Sequence, residues 1–251
     1  MGQAAASGLK QVKKLRFLLC ILVMTLAILG SCLQPILTEW NKFHKFPPGF
    51  HLTVFLQSAA SATPAALLPI LAALPFSASY LNDLKTKFID LFLIRSRYRN
   101  YLWGRLMVCW LTGAAVGLLA GLLARSVLLI MIFWEKGENF AAGADAETRC
   151  MMTCLLLALS GGFWSVTGMT LSTFFESRYI ASAGPFVFYY MLVILCKRYL
   201  PDWVFLDPGQ WLAPNELWPY KQWGPAILMA ELTLLCSLLF YWKAGRRLRS
   251  I

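Results

Sequence analysis

The chain has 251 residues, of which 59% are hydrophobic and only 14% charged, with a formal net charge of +11. So apolar a composition excludes an ordinary soluble domain and points to an all-α integral membrane protein, one membrane domain using up the whole length 1–251. In a soluble protein the positive charge would suggest nucleic acid; here its placement along the chain argues for membrane topology and against a nucleic-acid partner.

Six apolar stretches of about 20 residues, the length that crosses a bilayer as helix, occur in order: Phe17–Leu37, Leu52–Pro75, Tyr101–Ala124, Met151–Phe174, Ile180–Leu200 and Trp223–Trp242. Residues 1–16, with Lys10, Lys13, Lys14 and Arg16, form a basic amphipathic lead-in. Lead-in, apolar run and the box-like Leu29-Gly30-Ser31-Cys32 resemble a signal peptide, but we read the segment as an uncleaved first span. His44 and His51 follow in a Pro- and aromatic-rich loop; without a third ligand they read as interfacial side chains rather than a metal site.

The second span carries Ser58, Ser61 and Thr63 together with Pro64, Pro69 and Pro75, so a kinked helix with a partly polar side is expected. The third contains Gly113, Gly117 and Gly121, a doubled G-x-x-x-G whose glycines share one face and let another helix approach closely. The run 126–134 beyond it is too short to cross alone; it extends the third helix or lies at the outer surface. In the fourth span Leu159-Ser160-Gly161-Gly162 spells most of an ATPase signature. Its place in mid-span, and the lack of any Gly-Lys pair for a phosphate loop, exclude nucleotide binding by that route.

Glu176-Ser177-Arg178 predicts a tight hairpin into the fifth span, where Gly184-Pro185 predicts a bend beside Tyr189 and Tyr190. Residues 201–222, rich in Trp and Pro, predict short interfacial or re-entrant helices capping the outer face. Glu231 lies within the last span, where a carboxylate is costly and is expected to face protein or water. Seven cysteines, without C-x-x-C spacing, read as small buried apolar residues.

Fifteen of the 23 Lys/Arg, with only three acids, fall on the side that holds both termini and the 79–100 loop. That side is therefore expected to be cytoplasmic. The loop is the one long charged, helix-patterned stretch. Leu81, Leu84, Phe88, Leu91 and Phe92 recur at helical spacing with Asp83, Lys85, Lys87 and Asp90 between them, and a basic tail with Arg95, Arg97, Arg99 and Arg105 runs into the third span.

Within this stretch Asp83, Lys87, Arg95, Tyr101 and Arg105 follow the spacing acid, four to Gly, eight to Arg, six to Tyr and four to Lys or Arg, with Lys87 in the Gly place. On that spacing and the global layout, the chain resembles an ABC-2-type transporter permease. The resemblance implies an exporter half in a bacterial cytoplasmic membrane, pairing with a second permease subunit and with a cytoplasmic ABC ATPase that carries the ATP and Mg. This chain would need no cofactor or metal and would not itself be an enzyme. The 79–94 segment would be the coupling helix, docking through Leu81, Asp83, Leu84, Lys87, Phe88, Leu91 and Arg95. Ser58, Ser61, Thr63, Tyr189, Tyr190 and Glu231 would be candidates for the pathway of an amphipathic peptide, antibiotic or lipid. The rival readings are a channel or sensor without an ATPase, its amphipathic helix resting on anionic lipid, and an intramembrane enzyme, for which no paired His, Glu-x-x-His or Ser-His constellation is present.

Overall fold

The computed structural model describes residues 14–40, 49–86, 89, 98–136, 144–200, 203–214, 218, 220 and 223–249. These form α1 (Lys14–Trp40), α2 (Phe50–Ala59), α3 (Ala62–Ala73), α4 (Ser79–Lys85), α5 (Tyr98–Lys136), α6 (Ala144–Phe175), α7 (Arg178–Arg198), two 3-10 turns (Val204–Leu206 and Pro208–Gln210) and α8 (Trp223–Arg249), with no strand among the described residues. The protein is a multi-pass, all-helical membrane protein. α1, α5, α6, α7 and α8 are each long and apolar enough to cross a bilayer, and α2 with α3 forms a further span only if that bent pair is counted as one.

The break in that pair has a local cause. Pro64 has no N–H for the Ala60 carbonyl four residues back, and its ring would collide with it, so a continuous helix is closed off there. The chain turns by 61° and restarts at Ala62, which puts Pro64 in the first turn of α3, where a missing donor costs nothing. α7 runs unbroken through Pro185, and α5 continues through Ser126–Trp134, so the short apolar run is an extension of the third helix.

α6 is the axis of the bundle. Its most apolar stretch is 83% buried, against 22–39% for the other four long helices. α3, α5, α7 and α8 pack around it, and α1 lies against α5, α3 and α2. Small residues set the α5–α6 distance. A methyl group added at Gly113 would sit 2.5 Å from the Gly161 carbonyl oxygen, one at Gly117 would overlap the Leu157 carbonyl, and Gly121 meets the Leu157 side chain. Gly162 makes room for the Trp110 indole. The Ser160-Gly161-Gly162 run is therefore a helix-packing surface. Hydrogen bonds reinforce it: Ser165 Oγ donates to the Cys109 carbonyl across the helix pair (2.9 Å), and Ser77 Oγ donates to the Ser165 carbonyl (3.0 Å) from the turn after α3. Hydroxyls that find no other helix return to their own i−4 carbonyl, as Thr25 and Thr112 do.

At the far end of α6, Glu176 takes φ 56° to end the helix and Ser177 leads straight into α7. Its carboxylate pairs with Arg247 of α8 (2.7 Å), tying the hairpin to the last helix. Between α7 and α8 the 203–214 segment folds back into the bundle. Trp211 is buried and stacks on Trp164 (5.9 Å) with Phe163 at its edge (5.6 Å). Trp164 also touches Tyr189 (6.0 Å), nine residues or about 14 Å along α7 from Arg198. The loop thus dips below the end of α7. Its polar groups are satisfied internally, as that depth demands: Trp211 Nε1 donates to the Phe205 carbonyl (2.9 Å) and Asp207 accepts from the Gly209 N–H (3.0 Å).

Candidate functional site

The densest polar feature lies where α4 meets the first turns of α5. Tyr101 and Arg105, four residues apart, project from one face of α5, and both converge on Asp83 of α4. Tyr101 Oη donates to Asp83 Oδ2 (2.6 Å), and an Arg105 Nη2 hydrogen bond to the same oxygen completes a salt bridge. Arg105 is completely buried and Asp83 is 5% exposed. The guanidinium also lies over the rings of Phe76 (5.6 Å) and Tyr101 (5.5 Å), which partly replace lost hydration. Its Nε and Nη1 have no hydrogen-bond partner among the described residues.

Beneath this cluster Tyr80 packs edge-on against Phe240 of α8 (5.2 Å), so α4 is held by α5, α6 and α8 together. Burial pushes the Tyr80 hydroxyl up to about 12, which keeps it neutral at any physiological pH.

This arrangement corrects the expected orientation of α4. Leu81 (1% exposed) and Asp83 face into the bundle, so neither is an open docking side chain. Leu84, like Tyr98 and Tyr241, is half-buried against the same apolar cluster, while Lys85 and Thr86 are the exposed residues of the described part of the segment. Ile89 is buried; Lys87, Phe88, Leu91 and Arg95 lie outside the described residues.

The α2–α3 break exposes a second polar feature. Ser58 is buried and Ser61 half-buried there, each with an Oγ that has no hydrogen-bond partner among the described residues; the Cys32 thiol of α1 faces Ser58. Thr63 is exposed on the first turn of α3. α3 packs on α7, so the elements carrying these hydroxyls and the paired tyrosines are neighbours. The tyrosine rings meet edge-on (5.4 Å) but differ in exposure: Tyr189 is 6% exposed beside Trp164, and Tyr190 is 43% exposed on the outside. No hydrogen bond joins the serine hydroxyls to either ring among the described residues.

Glu231 is exposed. It points away from the bundle, on the same outer face of α8 as Leu234, Leu235 and Leu238, and forms no ion pair among the described residues. His51 is buried, all seven cysteines are unpaired thiols, and no three potential metal ligands cluster among the described residues.

The chain matches no family model, no characterised protein and no solved structure.

Sequence reasoning missed the inward face of α4 and the part played by Phe76 and Tyr80. The signal was present in Arg105. An arginine inside a stretch otherwise fit to cross a bilayer needs a counter-ion, and Asp83 is the acid its helix can reach.

Proposed function

We propose that the chain is the permease subunit of an ATP-driven exporter of the ABC-2 type. It moves an amphipathic cargo (peptide, antibiotic or lipid) outward across a bacterial cytoplasmic membrane, powered by a separate cytoplasmic ATPase. In this reading α2 and α3 together make a sixth span, and both termini are cytoplasmic. The reading is supported by one observation above others: Asp83, Tyr101 and Arg105, the first and last two positions of the spaced pattern, come together in a single buried cluster although 22 residues separate its ends.

The cluster suits coupling because it is a joint. A partner that binds the 79–94 segment and shifts it would pull on α5 through a buried ion pair. Since α5 is packed glycine-to-glycine on α6, the displacement would pass into the centre of the bundle. Lys85 and Thr86 are the docking residues that the described part of the segment leaves open. A second permease subunit fits the exposed face of α8, since Glu231 in an otherwise apolar surface is costly against lipid and far less so against a polar group of a partner helix.

The test is co-purification with the ATPase encoded beside the gene. The pair should form a stable complex whose ATP hydrolysis differs from that of the ATPase alone, and Lys85→Glu should weaken the complex without changing the melting temperature of the permease. Failure to bind any nucleotide-hydrolysing protein, or unaltered binding by the charge-reversed variant, would favour the channel or sensor reading.

A further inference from the structure

The turn between α3 and α4 and the first residues of α1 enclose a pocket of about 330 Å³, lined by Arg16, Leu74, Ser79, Asn82, Asp83 and Thr86 among others. The ATPase-coupling reading makes no use of it, and its chemistry does not depend on that reading. From its lining we propose that it binds the phosphoryl headgroup of a membrane phospholipid.

Three observations carry this. The first is charge. Asp83 lines the pocket, but its carboxylate is engaged by Arg105 and Tyr101, so the Arg16 guanidinium remains as the uncompensated charge of the described wall. A net positive pocket selects an anion.

The second is unmet hydrogen bonding. Ser79 is buried, and among the described residues its Oγ has no partner; the buried side-chain oxygen of Asn82 has none there either. The amide of Asn82 can present its NH₂ at that position by a simple flip. A phosphoryl group offers acceptors to the hydroxyl, the amide and the guanidinium at once. Thr86 contributes less, because its hydroxyl already donates to the Asn82 and Asp83 carbonyls (2.9 and 3.3 Å). A buried polar group without a partner costs free energy that a ligand can recover.

The third is depth. Arg16 lies one residue inside the apolar stretch Leu15–Thr38 of α1, at the level where a span meets the headgroups. Leu15, Leu18, Leu19 and Leu22 of the same helix are exposed, and Leu74 at the pocket wall is too. A phospholipid would place its phosphate on the polar wall and its acyl chains along these leucines. Inorganic phosphate matches only the first half of that surface.

The experiment uses the full-length protein in detergent, with native mass spectrometry and thermal melting after addition of phosphatidylglycerol, diacylglycerol or inorganic phosphate. Phosphatidylglycerol should be retained as a discrete adduct and should raise the melting temperature; diacylglycerol and phosphate should do neither. Arg16→Gln should weaken the adduct by about tenfold, the loss of one charge-assisted hydrogen bond. Ser79→Ala should weaken it by a smaller factor while leaving the lipid-free melting temperature unchanged. Arg246→Gln, of equal charge change on α8 where the guanidinium rests on Trp242 (4.3 Å), should leave binding intact. Stabilisation by phosphate alone, or equal losses for Arg16→Gln and Arg246→Gln, would overturn the proposal.

Discussion

Replacing Arg105 by Met probes the joint between α4 and α5 most directly. Met approximates the aliphatic stem of Arg and packs well against Phe76 and Tyr101, so little volume is lost; what changes is that the Asp83 carboxylate stays buried with only the Tyr101 hydroxyl to compensate it. Stranding one member of a buried ion pair costs about 3–5 kcal/mol. For a chain of this size each kcal/mol moves the midpoint by roughly 2–4 °C, so a fall on the order of 10 °C is expected. Asp83→Leu strands the guanidinium, two of whose nitrogens already lack described partners, and should cost a similar amount. The double variant Asp83→Leu/Arg105→Met removes both charges and should recover to within about 1 kcal/mol of the parent. Thermal denaturation in detergent, followed by size-exclusion fluorescence, reads all three proteins and closes the double-mutant cycle. A double variant as unstable as either single one would refute the buried ion pair as the cause, and so would single variants that melt with the parent.

Other expectations follow from the same packing. Tyr101→Phe removes a hydrogen bond to a charged acceptor and should cost about 1.5–3 kcal/mol in the same melting assay. Gly117→Leu should abolish monodisperse protein on size exclusion, because the side chain would enter the Leu157 backbone; Gly30→Ala, with open space around its Cβ position, should be neutral or stabilising by up to about 1 kcal/mol. The Tyr80 hydroxyl is held above its ordinary value by burial, so its contribution to stability is complete below about pH 10 and is lost as pH rises towards about 12, since the unfolded tyrosine ionises first. Melting of Tyr80→Phe against the parent across that range should show a smaller loss in the variant than in the parent. With six cysteines buried and Cys236 half-buried, a membrane-impermeant maleimide should leave the folded protein unlabelled and modify all seven thiols after denaturation.

Much of the architecture was written in patterns that need no tertiary partner. A run of about 20 apolar residues must become helix because a bilayer offers its backbone no hydrogen bonds, and this reasoning reached the long helices and the turn at Glu176–Arg178. Proline chemistry located a break in the second apolar stretch but not its position, because three prolines were present and only Pro64 closes off a helix that had already begun. The doubled G-x-x-x-G announced a close helix contact, and its partner emerged only from the fold, where Gly161 faces Gly113.

For the candidate site the division is sharper. Periodicity alone read the 79–94 stretch as an amphipathic helix and marked its apolar stripe, since the helical repeat follows from backbone geometry; the described helix within it runs Ser79–Lys85. Which surface covers that stripe is a question of distances across the bundle. α4 turns Leu81 and Asp83 inward because Arg105, completely buried on the neighbouring helix, requires a counter-ion that only Asp83 supplies among the described residues. In the same way, Glu231 could be recognised from sequence as an ionisable group within a span, whereas its outward direction is a property of how α8 is rotated against α6. Composition and spacing determine what each segment can become; the demand that buried charges and donors find partners decides which way each segment faces.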